Sequence, residues 1–202
     1  MSTLATALEK RRSIYALGKN KVIPEQRVRE IVEHAVKHVP SPFNSQSARV
    51  VILFGSESTR FWGLVRDSLK PLVPPEAFGK TDEKIKAFDG GYGTVLFFED
   101  QSVVRGLQAR FPLYADNFPV WSLQSNGMLE FAVWTALAEE GAGASLQHYN
   151  PLVDEAVRSA WGVPADWKLL AEMPFGSVEA APGEKEFLPL KERVLAYGDG
   201  KA

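Results

Sequence analysis

Between Met128 and Ala138 only Glu130 and Thr135 are polar, and nothing in that run breaks a helix. A helix apolar around nearly its whole circumference needs cover around nearly its whole circumference. One layer of a chain of 202 residues can hardly supply it. The stretch from Pro119 to Pro151 therefore reads as a central helix and its exit, packed against a second copy of the chain. The exit is Gly141-Ala142-Gly143, a C-cap followed by a tight approach. Gln147-His148-Tyr149-Asn150 follow directly, so the most buried element delivers a polar and aromatic cluster to one fixed place. That combination suits the floor of a ligand site.

Charge and composition remove several classes. With 23 basic against 25 acidic residues the net charge is -2, which lacks the clustered excess of Lys and Arg that nucleic acid requires. No run of 18 apolar residues exists, so no membrane span is expected. The N-terminus lacks the apolar core of a secretory signal, and a cytoplasmic protein is expected. The absence of cysteine excludes disulfides, thiolate metal sites and thiol nucleophiles. His34 and His38 are four apart on a helix with no third ligand in view, so no metal site is expected.

Along the chain, residues 3–12 read as a short helix ending in Arg11-Arg12-Ser13. Two guanidiniums and a hydroxyl can grip a phosphate, although basic residues also favour helix C-termini through the dipole. Pro24 opens a helix to about Val39, with Val28, Ile31, Val32, Ala35, Val36 and Val39 on one face. Residues 40–47 form a proline-fixed loop whose Asn44, Gln46 and serines offer neutral donors and acceptors before a buried strand, 48–54. Helices are expected over 57–73, 80–88 and 100–111, and strands over 94–98, 143–146 and 167–178, the last closed by Pro174 and Gly176. Residues 112–118 suit a lid or a cover over the core. A helix starts at Asn150 or Pro151 and runs to Trp161, with Leu152, Val153, Ala156, Val157 and Ala160 inward. The tail, 187–197, is extended or partly helical and carries Lys191 and Arg193. Helices and strands alternate irregularly with no repeat or long linker, which gives one α+β domain over residues 1–202.

These pieces together resemble the nitroreductase family of FMN-dependent oxidoreductases. Arg11-Arg12-Ser13 is similar to its Arg-x-Ser phosphate grip, and Ser41-Pro42-Phe43-Asn44-Ser45-Gln46 to its flavin loop. The glycine exit falls where the family has Gly-Leu-Gly, and Lys191-Glu192-Arg193 resembles its C-terminal Lys-x-Arg pair. GTVLFFED, the tryptophan-bearing central helix, SLQHYNP and MPFG resemble the subgroup of fungal nitroreductase-like proteins and bacterial copper-induced nitroreductases. The resemblance implies a dimeric α/β sandwich with a central mixed, largely antiparallel sheet flanked by helices. It also implies two FMN sites at the dimer interface, a C-terminal arm over the partner, and ping-pong transfer from NADH or NADPH to a nitroaromatic or quinone.

Carried onto this chain, the resemblance has Arg11, Arg12, Ser13, Lys191 and Arg193 holding the phosphate and ribityl end. Ser41, Pro42, Phe43, Asn44 and Gln46 come from the other subunit, as does Ser125 or its neighbour Gln124. Leu146, Gln147, His148 and Tyr149 line the ring, mostly through backbone, and Arg49 or Lys84 is the cation near N1 and O2. No obligatory protein acid or nucleophile is implied, His148 being the one candidate proton donor. The chain departs from the family at Tyr15, where relatives carry a cation, at Ser47-Ala48 for Pro-Trp, and at His148-Tyr149 for Glu-Gly. The changes at 15, 148 and 149 leave open a flavin-binding regulatory or stress-response protein with little turnover. A hydrolase lacks any GxSxG or catalytic-cysteine signal.

Overall fold

The computed structural model describes residues 3–198. Its elements in chain order are α1 (Thr3–Lys10), β1 (Leu17–Gly18), α2 (Glu25–His38), β2 (Ala48–Phe54), α3 (Ser56–Leu69), α4 (Phe78–Asp89), β3 (Gly93–Asp100), α5 (Gln101–Arg110), α6 (Phe118–Glu139), β4 (Gly143–Ala144), α7 (Asp154–Trp161) and β5 (Trp167–Val178). The sheet has five strands in the order β1-β5-β3-β2, with β4 also on β5. Every ladder is antiparallel, and the expected mixed character shrinks to one parallel bridge between Ser13 and Ala144. β3 is buried along its whole length, as its run of β-branched and aromatic residues requires.

The sheet divides the core in two. On one face Val95, Phe97, Ala171 and Met173 meet Val28, Ile31 and Val32 of α2 and Leu129, Val133 and Leu137 of α6. On the other Leu96, Phe98 and Leu169 meet Phe61, Trp62 and Val65 of α3, Ile85 and Phe88 of α4, and Val157 of α7. Buried polar side chains tie the layers: Asn126 of α6 donates to the Phe98 carbonyl (3.1 Å) and to Glu99 Oε1 (2.9 Å). Trp62 Nε1 donates to Thr94 Oγ1 at 2.9 Å.

Several local expectations need correction. β5 runs straight through Pro174 and Gly176 instead of closing there. The Pro174 carbonyl accepts from Ser145 N–H on the short β4 side, and N–H and C=O of one antiparallel residue face the same neighbour, so the missing donor is lost on that side and costs β3 nothing. α7 starts at Asp154, later than Asn150 or Pro151, and Leu152 is exposed rather than inward. Val36 of α2 is likewise exposed, at the rim of a cleft described below. α6 buries Phe118, Leu129, Val133 and Leu137 yet leaves Val120, Leu123, Met128 and Phe131 exposed, so one protomer covers only one side of it.

Glycine chemistry separates two kinds of position. A Cβ on Gly176 would run into the Gly18 carbonyl oxygen and the backbone of Tyr92 and Gly91, none of which can swing away. Gly106, inside α5, has open space around it. Gly176→Ala should therefore lose about 3 kcal/mol, the upper end for overpacking, whereas Gly106→Ala should gain up to about 1 kcal/mol from helix propensity. Urea denaturation of both variants checks the pair, and equal effects would contradict the packing described.

Candidate functional site

The outer edge of β5 gathers the first half of the site. Leu17–Gly18 pair with Ser177 and Val178, Gly143–Ala144 with Phe175 and Gly176, and Gln147 with Glu172. Ile14 N–H donates to the Ala144 carbonyl at 2.9 Å, which lays Arg11-Arg12-Ser13 beside the glycine exit of α6. Gly143 permits this approach, since a Cβ there would press on Ile14, Leu17 and Val178. Arg11 lies over the Trp134 ring at 4.3 Å, and its Nε is buried without a hydrogen-bond partner. Burial and then the charge of Arg12 push the Arg11 guanidinium below its ordinary value, and no carboxylate opposes them. Arg12 donates to the Gly183 carbonyl at 2.6 Å, and residues 11–16 with 180–185 enclose a cleft of about 520 Å³. Among the described residues neither guanidinium forms a salt bridge. Two adjacent cations that no acid pairs, in a cleft that Glu184 and Lys185 also line, suit an anion such as the phosphate of FMN.

The second half lies between α2 and α6. Ser41, Asn44, Gln46, Ala48, Arg49, Ser125 and Leu129 line a cleft of about 390 Å³, which shares no residue with the first. Phe43, Asn44 and Gln46 all have positive φ, 54°, 51° and 48°. Left-handed backbone costs each non-glycine residue about 1–3 kcal/mol and persists where surroundings enforce it, often at functional sites. Here Ser41 accepts from Gln46 N–H through its hydroxyl and from Asn44 N–H through its carbonyl, both at 3.0 Å. Phe43, half exposed, packs on Phe111 (4.8 Å), Phe118 (5.4 Å) and Trp121 (6.4 Å). Pro42, Phe43, Trp121, Gln124 and Ser125 border a shallower groove alongside. Tyr114 joins the aromatic group, so residues 112–118 brace the loop.

Of the two cations proposed for the ring, Arg49 lines this cleft, while Lys84 lies on α4 over the Phe88 ring. Arg49 pairs with Asp100 at 3.0 Å and donates to the carbonyls of Gln46 and Ala48. Burial alone would raise Asp100, but hydrogen bonds from Ser102 and the charge of Arg49 outweigh it and hold the carboxyl low.

Lys191 and Arg193 are exposed, and among the described residues no hydrogen bond or ion pair joins them to Arg11 or Arg12. The tail also exposes Phe187, Leu188, Leu190, Val194, Leu195 and Tyr197. Leu146 is half-buried and His148 exposed; Gln147 is buried and spends its backbone groups on Glu172 (2.7 and 2.9 Å). Tyr149 turns inward, its ring 5.8 Å from Trp62 and 6.3 Å from Phe88. His34 and His38 sit exposed on α2 with ring centroids 4.4 Å apart. Among the described residues no three His, Asp or Glu side chains converge for a metal, and no helix is long and apolar enough to cross a membrane.

The family model for the nitroreductase family matches residues 8–177. The chain belongs to the nitroreductase family. It is 34% identical over 186 residues to the nitroreductase FRM2 of Saccharomyces cerevisiae, covering 90% of this chain and 91% of that protein. The nitroreductase CinD from Lactococcus lactis, solved in complex with chloramphenicol, superposes with a TM-score of 0.89 at 47% identity over 97% of this chain and all of CinD. A CinD structure in complex with 4-nitrophenol gives a TM-score of 0.88. The same fold appears at 14% identity, TM-score 0.71, in a nitroreductase with bound FMN from Desulfitobacterium hafniense, over 98% of this chain and all of that one.

Sequence reading missed two fully buried carboxyls, Glu99 and Glu172, and the upward shift of the half-buried Glu130. Glu99, beneath the second cleft, is raised by burial against hydrogen bonds from Ser47 and Asn126. Glu172 is pushed up to about 8 and Glu130 of α6 to about 7, chiefly by burial. For Glu130 the native state favours the protonated form, so wild-type stability falls as pH rises from its ordinary 4.5 to about 7 and is then level. Glu130→Gln, which mimics the neutral acid, should match wild type at pH 4.5 and exceed it increasingly up to about pH 7. Denaturation midpoints across that range check this; a constant gap would contradict the burial-driven shift.

Proposed function

We propose that this single domain, residues 1–202, is an FMN-dependent NAD(P)H oxidoreductase working as a homodimer and reducing nitroaromatic or quinone-type acceptors. The observation that carries the proposal is the division of the site. One protomer holds an unpaired cationic grip at Arg11-Arg12-Ser13 on the β5 edge. A strained polar loop at Ser41–Gln46 lies in a different cleft. Each is half of what a phosphorylated flavin needs, and the exposed apolar side of α6 with the apolar tail gives a second copy somewhere to pack. The CinD complexes with chloramphenicol and 4-nitrophenol support flat nitroaromatics as the acceptor class.

FMN, when bound, supplies two-electron chemistry between the nicotinamide donor and the acceptor. The chain's own residues bind and orient. Arg11, Arg12 and Ser13 hold the phosphate, with Lys191 and Arg193 brought in by the ordered arm. Ser41, Pro42, Phe43, Asn44, Gln46 and Ser125 of the second copy hold the ribityl chain and ring, with Arg49 as the cation beside the pyrimidine end. Leu146, Gln147, His148 and Tyr149 border the ring as one segment, its Gln147 backbone groups and Tyr149 N–H already held by Glu172, and exposed His148 gives a proton to an acceptor. The bulk that Tyr149 brings relative to the family goes into the core beside Trp62 and Phe88. That removes one of the grounds for a turnover-poor regulatory protein.

The purified protein should show flavin absorbance, and NADH or NADPH should be consumed when 4-nitrophenol or a quinone is added. Protein that stays colourless after incubation with FMN would overturn the proposal. Arg11→Ala combined with Arg193→Ala should lose FMN on gel filtration with an unchanged circular dichroism spectrum. Retention at unchanged affinity would show that the phosphate grip lies elsewhere.

A further inference from the structure

Glu172 is fully buried in the middle of β5, at the point where that strand's outer edge meets the ring-bordering segment. Strand alternation puts its side chain opposite Ala171 and Met173, on the face covered by α7. Its backbone exchanges both hydrogen bonds with Gln147, and its Oε2 accepts from Tyr149 N–H at 2.9 Å. One residue thus fixes both sides of His148. Its other oxygen, Oε1, is buried with no hydrogen-bond partner. A carboxylate normally collects donors at both oxygens, so this half-furnished site suits the neutral acid.

We propose that Glu172 is a positioning residue that holds the Gln147–Tyr149 segment against the flavin and takes up a proton when the flavin is reduced. This rests on the FMN-binding function proposed above. The acid belongs to neither cleft and to none of the motifs shared with the family. Surrounding charge acts in the same direction as burial. Asp154 of α7 and Glu130 of α6 both disfavour a charged Glu172, against the Tyr149 and Asn150 N–H groups. Arg158 and Lys168 act on Asp154, and the Tyr149 hydroxyl is itself pushed up to about 12 by burial and by Glu172. The carboxyl is pushed up to about 8, so it is part-ionised at mildly alkaline pH while the flavin is oxidised. Two electrons arriving on the flavin add negative charge nearby, which favours the protonated acid. The electrons come from the nicotinamide donor and the proton from solvent; when the acceptor is reduced the electrons leave and the proton is released.

Equilibrium reductive titration of the FMN-loaded protein with dithionite, over about pH 6 to 10, reads this coupling. Where Glu172 gains a proton on reduction, the reduction equilibrium should shift by a further tenfold per pH unit, about 30 mV for a two-electron couple. The steeper stretch should begin near pH 8, where the carboxyl ionises. E172Q keeps an acceptor for Tyr149 N–H but cannot titrate, so it should bind FMN and lose that stretch. E130Q should keep it. Parallel lines for wild type and E172Q, both loaded with FMN, overturn the proposal. If E172Q does not fold, a wild-type line without a steeper stretch above pH 8 overturns it. Failure of the wild type to bind FMN overturns instead the function on which the inference rests, and is visible before any titration.

Discussion

The edge of β5 opposite β3 is the constraint on which the rest of this molecule depends. Two segments distant in sequence, Leu17–Gly18 and the stretch that holds Gly143–Ala144 and Gln147, pair with it in succession. Unpaired strand groups at a buried edge are costly, so the edge recruits whatever chain can reach it. What it recruits is the end of the N-terminal basic segment and the exit of α6. The placement of Arg11-Arg12-Ser13 and of the Gln147–Tyr149 segment, proposed to hold the phosphate and border the ring, is a consequence of satisfying one strand's hydrogen bonds. Gly176 is a glycine because the backbones of Gly18, Gly91 and Tyr92 crowd it, and Gly143 because the side chains of Ile14, Leu17 and Val178 do.

α6 imposes the second constraint. Its apolar residues run round all sides, and the elements packed on it still leave Val120, Leu123, Met128 and Phe131 exposed. The remaining face, with Phe131 and Met128 exposed, lies between the two clefts' chemistry: Arg11 stacks on Trp134 and Phe131, and Ser125 and Leu129 line the cleft beneath the Ser41–Gln46 loop. A second copy laid on that face would bring opposite halves of the site together. The packing problem and the binding problem then have one solution.

Much of this was legible in the sequence because it depends on pattern. The strands at 48–54 and 94–98, the helical face of α2 and the extreme apolarity of α6 all follow from side-chain pattern, although β2, at the sheet's edge, is only half-buried where a buried strand was expected. The family motifs pointed to Arg11-Arg12-Ser13 and to the Ser41–Gln46 loop, and both line clefts. What could not be read came from tertiary geometry. Pro174 looks like a strand end until the unpaired direction of its missing N–H is known. The left-handed backbone at Phe43 and Gln46 has no residue-type signal, Asn44 alone being of a type that favours it. Glu172 and Glu99 read as ordinary polar positions in strands, and only the layers on both faces show them to be buried acids. That Arg49 lines the cleft while Lys84 lies on α4 could be seen only in the folded chain.

The central claim is that the flavin site is complete only between two copies. Sedimentation velocity of the FMN-loaded protein, followed at both protein and flavin wavelengths, tests it most directly. The account predicts one boundary at twice the 22.3 kDa chain mass, with flavin co-sedimenting at one per chain. Flavin travelling with a species of single-chain mass would contradict it.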